Sequence, residues 1–221
     1  EWINLERLKK EREVVGIYIS AHPLDDYLRE IKNFTSAGLS SLNDLNRIIN
    51  KDLYVGGIIN EVEHLQTKTG NGFAVFSFED FNDQYQFRIF GEDYLKYKHL
   101  LEENKILRLR ISIREGWVNR ETGRVGDPRI QFLNMELLDG IIDSSSKKIT
   151  LKIDSSTLNL DEVKKLKKIF SKHKGSKPVY FDILDTNNEI KLNMISQQTK
   201  VSITKDLLKS LEKEEFSYKL N

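Results

Sequence analysis

The sequence predicts a mostly β chain with an α+β ending. A five-stranded OB-fold barrel is expected, preceded by short helices and followed by a small two-helix α+β domain. Three observations carry this. No β-type alternation precedes Leu53, whereas five strand-like runs lie between there and Leu138. One helical stretch, Gly91 to Glu102, separates the third run from the fourth, and three strands, a helix, then two strands is the OB order. The third observation is a change of composition past the polar stretch Asp139-Gly-Ile-Ile-Asp-Ser-Ser-Ser-Lys-147. From Lys147 to Asn221 there are 16 Lys, no Arg and 10 acids, and all Arg lies earlier. A boundary belongs at that change. The expected organisation is a helical segment over 1–53, the OB domain over 54–139, a linker over 140–146 and the α+β domain over 147–221.

The elements follow in order. Leu5, Leu8, Val15 and Ile19 recur near helical spacing, so a helix is predicted from about 3 to 19. Pro23 ends it, because the residue before a proline avoids the helical region. Short helices are expected over Leu24 to Ile31 and Ser41 to Ile49. Tyr54 to Gln66 reads as a long strand, bent at Gly56-Gly57. Lys68-Thr-Gly-Asn-Gly72 is a hairpin turn. Phe73 to Glu79 and Tyr85 to Phe90 are the next strands. Lys105 to Arg114 alternates Leu107, Leu109, Ile111 and Ile113 against Arg108, Arg110, Ser112 and Arg114. A polar loop then leads to the strand Arg129 to Leu138.

Past the boundary the pattern restarts. Strands are expected at Ile149 to Ile153, Val179 to Leu184, Glu189 to Asn193, Thr199 to Val201 and Phe216 to Leu220. Helices are expected at Leu158 to Phe170 and Ile203 to Leu211, with Gly175-Ser-Lys-Pro178 as a turn.

Composition narrows the class. The chain has 221 residues, 38% hydrophobic and 31% charged, with a formal net charge of +1. No apolar run approaches the ~18 residues of a membrane span, and no signal-peptide pattern opens the chain. The first residue is Glu1, which suggests a piece of a longer protein. Cysteine is absent, excluding disulfides and thiolate metal sites. The four histidines are scattered without ligand spacing. No phosphate loop, glycine fingerprint or Ser/His/Asp order is present.

Three features resemble one family. They are Glu13-x-x-Gly16-x-Tyr18-x-Ser20-x-His22-Pro23-Leu24, the barrel opening (Gly57-Ile-Ile59, Gly72 to Asp80, Phe87-Arg-Ile-Phe90), and the tail segments Lys177-Pro-Val-Tyr-Phe181 and Val201 to Leu208. Together they resemble the C-terminal region of the bacterial DNA polymerase III alpha subunit, a DNA-directed DNA polymerase. The resemblance implies an OB domain followed by a domain that binds the clamp loader through its tau subunit. It places polymerase chemistry and Mg2+ in a palm upstream, so neither catalysis nor a cofactor is expected in this fragment. It places the sliding-clamp motif upstream too; Gln131-Phe-Leu133 is the nearest match and reads better as strand core. A cytoplasmic location without membrane contact is implied.

On an OB barrel, single-stranded DNA would meet strands two and three and the loops at one end. Parity puts Ala74, Phe76, Phe78, Phe87 and Ile89 inward and Phe73, Ser77, Gln86 and Arg88 outward. Lys68, Phe73, Arg88, Arg108, Arg110, Arg114, Trp117, Arg120 and Arg124 are the DNA-contacting candidates. Between Lys105 and Arg129 there are seven basic and three acidic residues. Arg108 and Arg110 also fit the solvated face of a strand, and Trp117 fits a lid on the barrel. Leu207, Leu208, Leu211, Phe216 and Tyr218 are the candidates for partner contact, on the last helix and strand. Two alternatives remain: a scaffold that never binds DNA, and a tRNA anticodon-binding module of a class II synthetase.

Overall fold

The computed structural model describes residues 4–15, 18–118, 124–156, 158–185 and 190–220. The chain is mostly β and divides into two compact units, Glu1–Asp139 and Gly140–Asn221.

In the first unit, helix α1 spans Asn4–Val15. Leu8 is buried, but Val15 and Ile19 are exposed, against the expected apolar stripe. Gly16, part of the helix-ending pattern, lies outside the described residues. The turn that follows is held by polar contacts: Ser20 donates from backbone N and Oγ to Glu11 Oε1, at 3.0 and 2.9 Å. His22 N donates to Asp25 Oδ2 at 2.7 Å. A 3-10 turn, Asp25–Tyr27, leads into α2, Leu28–Phe34. The helix expected at Ser41 to Ile49 is two 3-10 turns, Leu39–Asn43 and Leu45–Ile48. Asp44 between them has φ −134 and ψ 86, outside the helical region, which breaks the helical run.

Five strands follow: β1 (Asp52–Gln66), β2 (Gly72–Glu79), β3 (Gln84–Phe90), β4 (Ile106–Arg114) and β5 (Arg129–Leu137). Helix α3 (Gly91–Tyr97) lies between β3 and β4 in the chain. The sheet order is β3-β2-β1-β4-β5, all antiparallel. β1 is shared: residues 52–58 pair with β4 and residues 58–66 with β2. Gly57 permits the changeover, because a Cβ there would lie 2.3 Å from the Glu79 carbonyl oxygen. The β1–β2 turn takes its positive φ at Gly70, not at the Asn71-Gly72 pair. Gly72 is needed for another reason, since a Cβ would meet the Tyr94 ring at 2.6 Å.

The core joins Phe76, Phe78, Phe87, Leu107, Leu109, Ile111 and Phe132 with Leu39 and Leu42. The residues before the sheet therefore share its core. Asp80 binds the two together: its buried carboxylate accepts from Leu39 N at 2.7 Å and from Asn82 N and Asp83 N, both at 2.8 Å. A carboxylate with several backbone donors satisfies the polar groups that the turn would otherwise orphan.

The second unit starts with α4, Ile141–Ser145. This corrects the expected linker over 140–146: Ile141, Ile142 and Ser146 are buried. Gly140 takes φ +79, which lets the chain turn into the helix at once. Then come β6 (Ile149–Asp154), α5 (Leu160–Lys172), β7 (Lys174–Asp185), β8 (Ile190–Val201), α6 (Lys205–Lys213) and β9 (Ser217–Leu220). Asn159 caps α5, accepting from Asp161 N and Glu162 N at 3.0 and 2.9 Å; Thr204 caps α6. The sheet order is β8-β7-β6-β9. The expected turn Gly175 to Pro178 instead lies inside β7, where the register slips between Lys174 and Lys177 and again between Pro178 and Tyr180. Such irregularities admit a proline within a sheet. The two segments expected as separate strands, Glu189 to Asn193 and Thr199 to Val201, merge in β8 from Ile190 onward, and Glu189 lies outside the described residues.

Candidate nucleic-acid interface

The outer face of β1, β2 and β3 carries an uncovered apolar row. Leu65 pairs with Phe73, and Phe73 with Phe90. The Phe73 and Phe90 rings are stacked, 4.9 Å between centroids at 15°. Phe73 is half-buried, while Leu65 and Phe90 are exposed. The next row is Glu63, Val75 and Arg88, with Arg88 exposed. Lys68 is exposed on the β1–β2 turn. Phe90 and Leu65 complete this face and were missed by sequence reasoning, although Phe90 shares the outward parity of Arg88. Ser77, expected outward, is buried, because Gln84 lies against it and donates to its Oγ.

The arginines of β4 behave differently. Arg108 Nη2 and Nε lie 2.7 and 3.2 Å from Glu136 Oε1, and Nη1 donates to the Phe34 carbonyl at 3.3 Å. Its guanidinium sits 5.0 Å from the Tyr54 ring centroid and 5.9 Å from that of Phe34. Only 12% of its side chain is exposed. This corrects Arg108 as a DNA contact: a carboxylate on the neighbouring strand and a carbonyl at the end of α2 occupy its donors. Arg110 is partly exposed but paired with Asp52 at 2.9 Å, and it lies 5.6 Å from the Tyr54 centroid. The Arg110 hydrogen bond holds the Asp52 carboxyl below its usual range, and Asp52 in turn raises Arg110.

A second exposed group lies where β4 and β5 are joined. Trp117 is 74% exposed. The Arg129 guanidinium stands 3.8 Å from its ring centroid, and Arg129 Nε donates to the Glu115 carbonyl at 3.2 Å. Arg114 Nε donates to Gln131 Oε1 at 3.2 Å. The loop is cinched where Gly126 N donates to the Trp117 carbonyl at 3.0 Å and Val118 bridges Val125. Trp117, Arg114, Arg129, Asn50 and Gln131 line a shallow cleft. Arg129 was not among the candidates, although its place at the strand start was legible. Arg124 is exposed and has an interaction of its own. Arg120 lies outside the described residues. The described candidates thus fall into two groups, one on β1–β3 and one at the β4–β5 junction, with the ion-paired Arg108 and Arg110 in neither.

The histidines with resolved contacts are engaged in packing. His22 lies 4.7 Å from the Phe81 ring and 5.2 Å from Tyr18, and its Nδ1 accepts from Leu24 N at 3.1 Å. His64 bridges the Tyr94 hydroxyl and the Leu101 carbonyl at 3.1 and 3.2 Å. Since a carbonyl only accepts, His64 Nε2 carries the proton.

In the second unit, Leu207, Leu208 and Leu211 are fully buried, which corrects their assignment to a partner surface. These three leucines form the apolar side of α6, and the unit places all of them in its own core. Phe216 and Tyr218 are half-buried, and the Tyr218 hydroxyl donates to Glu212 Oε1 at 2.7 Å.

Comparison with known proteins agrees with the resemblance. Residues 149–221 match the family model for the DNA polymerase III alpha subunit, C-terminal domain. The DNA polymerase III subunit alpha of Borreliella burgdorferi is 29% identical over 201 residues, covering 89% of this chain and 17% of that protein. The Bacillus subtilis subunit is 26% identical over 190 residues, covering 85% of this chain and 16% of that protein. The Treponema pallidum subunit is 38% identical over 90 residues, covering 41% of this chain and 8% of that protein. The chain spans about a sixth of the length of the first two of these relatives.

Proposed function

From its similarity to the C-terminal region of the bacterial DNA polymerase III alpha subunit, we propose that this chain is the non-catalytic C-terminal part of a replicative, cytoplasmic DNA polymerase. Its five-stranded unit binds single-stranded template, and its terminal unit binds the clamp loader through the tau subunit. The shared strand β1, the order β3-β2-β1-β4-β5 and the helix between β3 and β4 support an OB-type architecture for the first unit.

One observation carries the DNA reading: Phe90, exposed and stacked on the half-buried Phe73, lies beside Arg88, with Lys68 on the adjoining turn. Aromatic faces take bases without regard to sequence, and nearby cations take phosphates. Trp117 with Arg129 offers a second platform of the same kind. Fluorescence anisotropy with a labelled oligonucleotide at two salt concentrations tests this. Binding that weakens steeply with salt is expected, because phosphate contacts release counterions. No binding at low salt would leave the scaffold reading, which Arg108 favours by spending its charge within the protein.

A further inference from the structure

β8 is an outer strand of the second sheet and, among the described residues, pairs with β7 alone. Its register brings Met194 beside Phe181, Leu192 beside Ile183 and Ile190 beside Asp185. The parallel β6–β7 register puts Leu151 beside Phe181 and Ile153 beside Ile183. All these residues therefore face the same side of the sheet. On β6 and β7 that side is core: Ile149, Leu151 and Val179 are fully buried. Phe181 and Ile183 are half-buried, and at β8 Ile190, Leu192 and Met194 are 49%, 51% and 47% exposed. The apolar layer thus runs sideways beyond the part that the unit itself covers. An exposed apolar stripe on an open strand edge is both a binding surface and an association hazard.

We infer that β8 receives an extended, apolar segment of a different protein, flanked by acidic residues and added as a further strand. This rests on the reading that the terminal unit binds a protein, and it gives that reading a surface other than α6. Charge selects the occupant. From Lys147 to Asn221, 16 Lys stand against 10 acids, so two copies of the unit repel while an acidic chain is drawn in. Lys191 is exposed on the opposite side of β8 from the stripe, in register with Leu184. An added strand would set apolar side chains beside Ile190, Leu192 and Met194 and an acidic one near Lys191. Met194 accommodates partners of varied shape. Nucleic acid is disfavoured, because the stripe has no exposed aromatic ring and the region no Arg.

The test is calorimetric titration of the full chain with the tau subunit of the same organism. Leu192→Asp with Met194→Asp should weaken binding by about tenfold or more, since two apolar contacts are lost. Lys191→Glu should weaken it less, and Met194→Leu should preserve it. Circular dichroism checks folding; if the double Asp variant unfolds, Leu192→Ser with Met194→Ser replaces it. Amide exchange of the complex should show new protection over 190–195. Unchanged affinity in the folded double variant, or protection confined to other strands, overturns the inference and leaves the proposed function standing. Failure of the unsubstituted chain to bind tau overturns both. Concentration-dependent dimerisation that the double variant abolishes would assign the edge to a second copy and overturn the acidic partner.

Discussion

Arg108 on β4 and Glu136 on β5 are cross-strand neighbours joined at 2.7 Å, and the same guanidinium reaches the Phe34 carbonyl at the end of α2. Both side chains are largely shielded, so removing one strands the other. Arg108→Ala should cost about 2–3 kcal/mol of stability, at or just below the ~3–5 kcal/mol of a fully buried pair because Glu136 is partly exposed. Urea denaturation measures it. Oligonucleotide affinity of the folded variant should be unchanged; a large loss of affinity without loss of stability would return Arg108 to the DNA surface.

Phe90 stands on the opposite footing. Its ring is exposed and stacked on Phe73. Phe90→Ala should weaken single-strand binding by about 1–3 kcal/mol, the usual value of one base–aromatic stack. Thermal melting should move little. Unaltered anisotropy titrations would remove the β1–β3 face from the DNA reading.

The Asp52–Arg110 pair gives a pH signature. Arg110 lowers the Asp52 carboxyl in the folded chain. A lowered folded value means that the pair stabilises fully above the unfolded value of about 3.9 and is lost as pH falls through the lower folded value. Carbon-detected NMR titration should place the Asp52 midpoint below that of a free aspartate. Arg110→Ala should raise the midpoint toward the ordinary value; an unmoved midpoint would discount the pair.

Gly57 and Gly126 make a matched contrast. A methyl at Gly57 meets backbone at 2.3 Å, whereas at Gly126 the nearest atom is 3.6 Å away. Gly57→Ala should destabilise by about 1–3 kcal/mol or more, as overpacking does, while Gly126→Ala should be nearly silent. Parallel melts of the two variants decide it.

Much of the strand pattern was legible because alternation reports one buried face. Phe76, Phe78 and Phe87 read as core and are core. Alternation does not report what faces a residue across the sheet. Arg108 has the parity of a surface contact, but its fate depends on Glu136, 28 positions away. The α6 leucines show the same limit: spacing identifies an apolar side and not whether the chain or a partner covers it. β8 was split in two by its polar middle, Ser196 to Thr199, which has no strong strand signal although its backbone is extended. The β1–β3 face was half legible, because Phe73 and Arg88 follow from parity while Leu65 and Phe90 join them only once the register is known.

The double use of β1 also bears on the order in which the sheet can assemble. Its C-terminal half needs only the short loop to β2, since Gln66 already faces Gly72, whereas Ile58 meets Ile106 across a long stretch of chain. Closing the short loop costs less entropy, so the β1–β2 hairpin is the natural first structure. Once it forms, the other half of the same strand is held extended and offers β4 a ready template. A single residue, Ile58, pairs in both ladders and so couples an early local event to a late, distant one. Substitutions there should slow folding as well as weaken the product, whereas changes in β5 should mainly hasten unfolding.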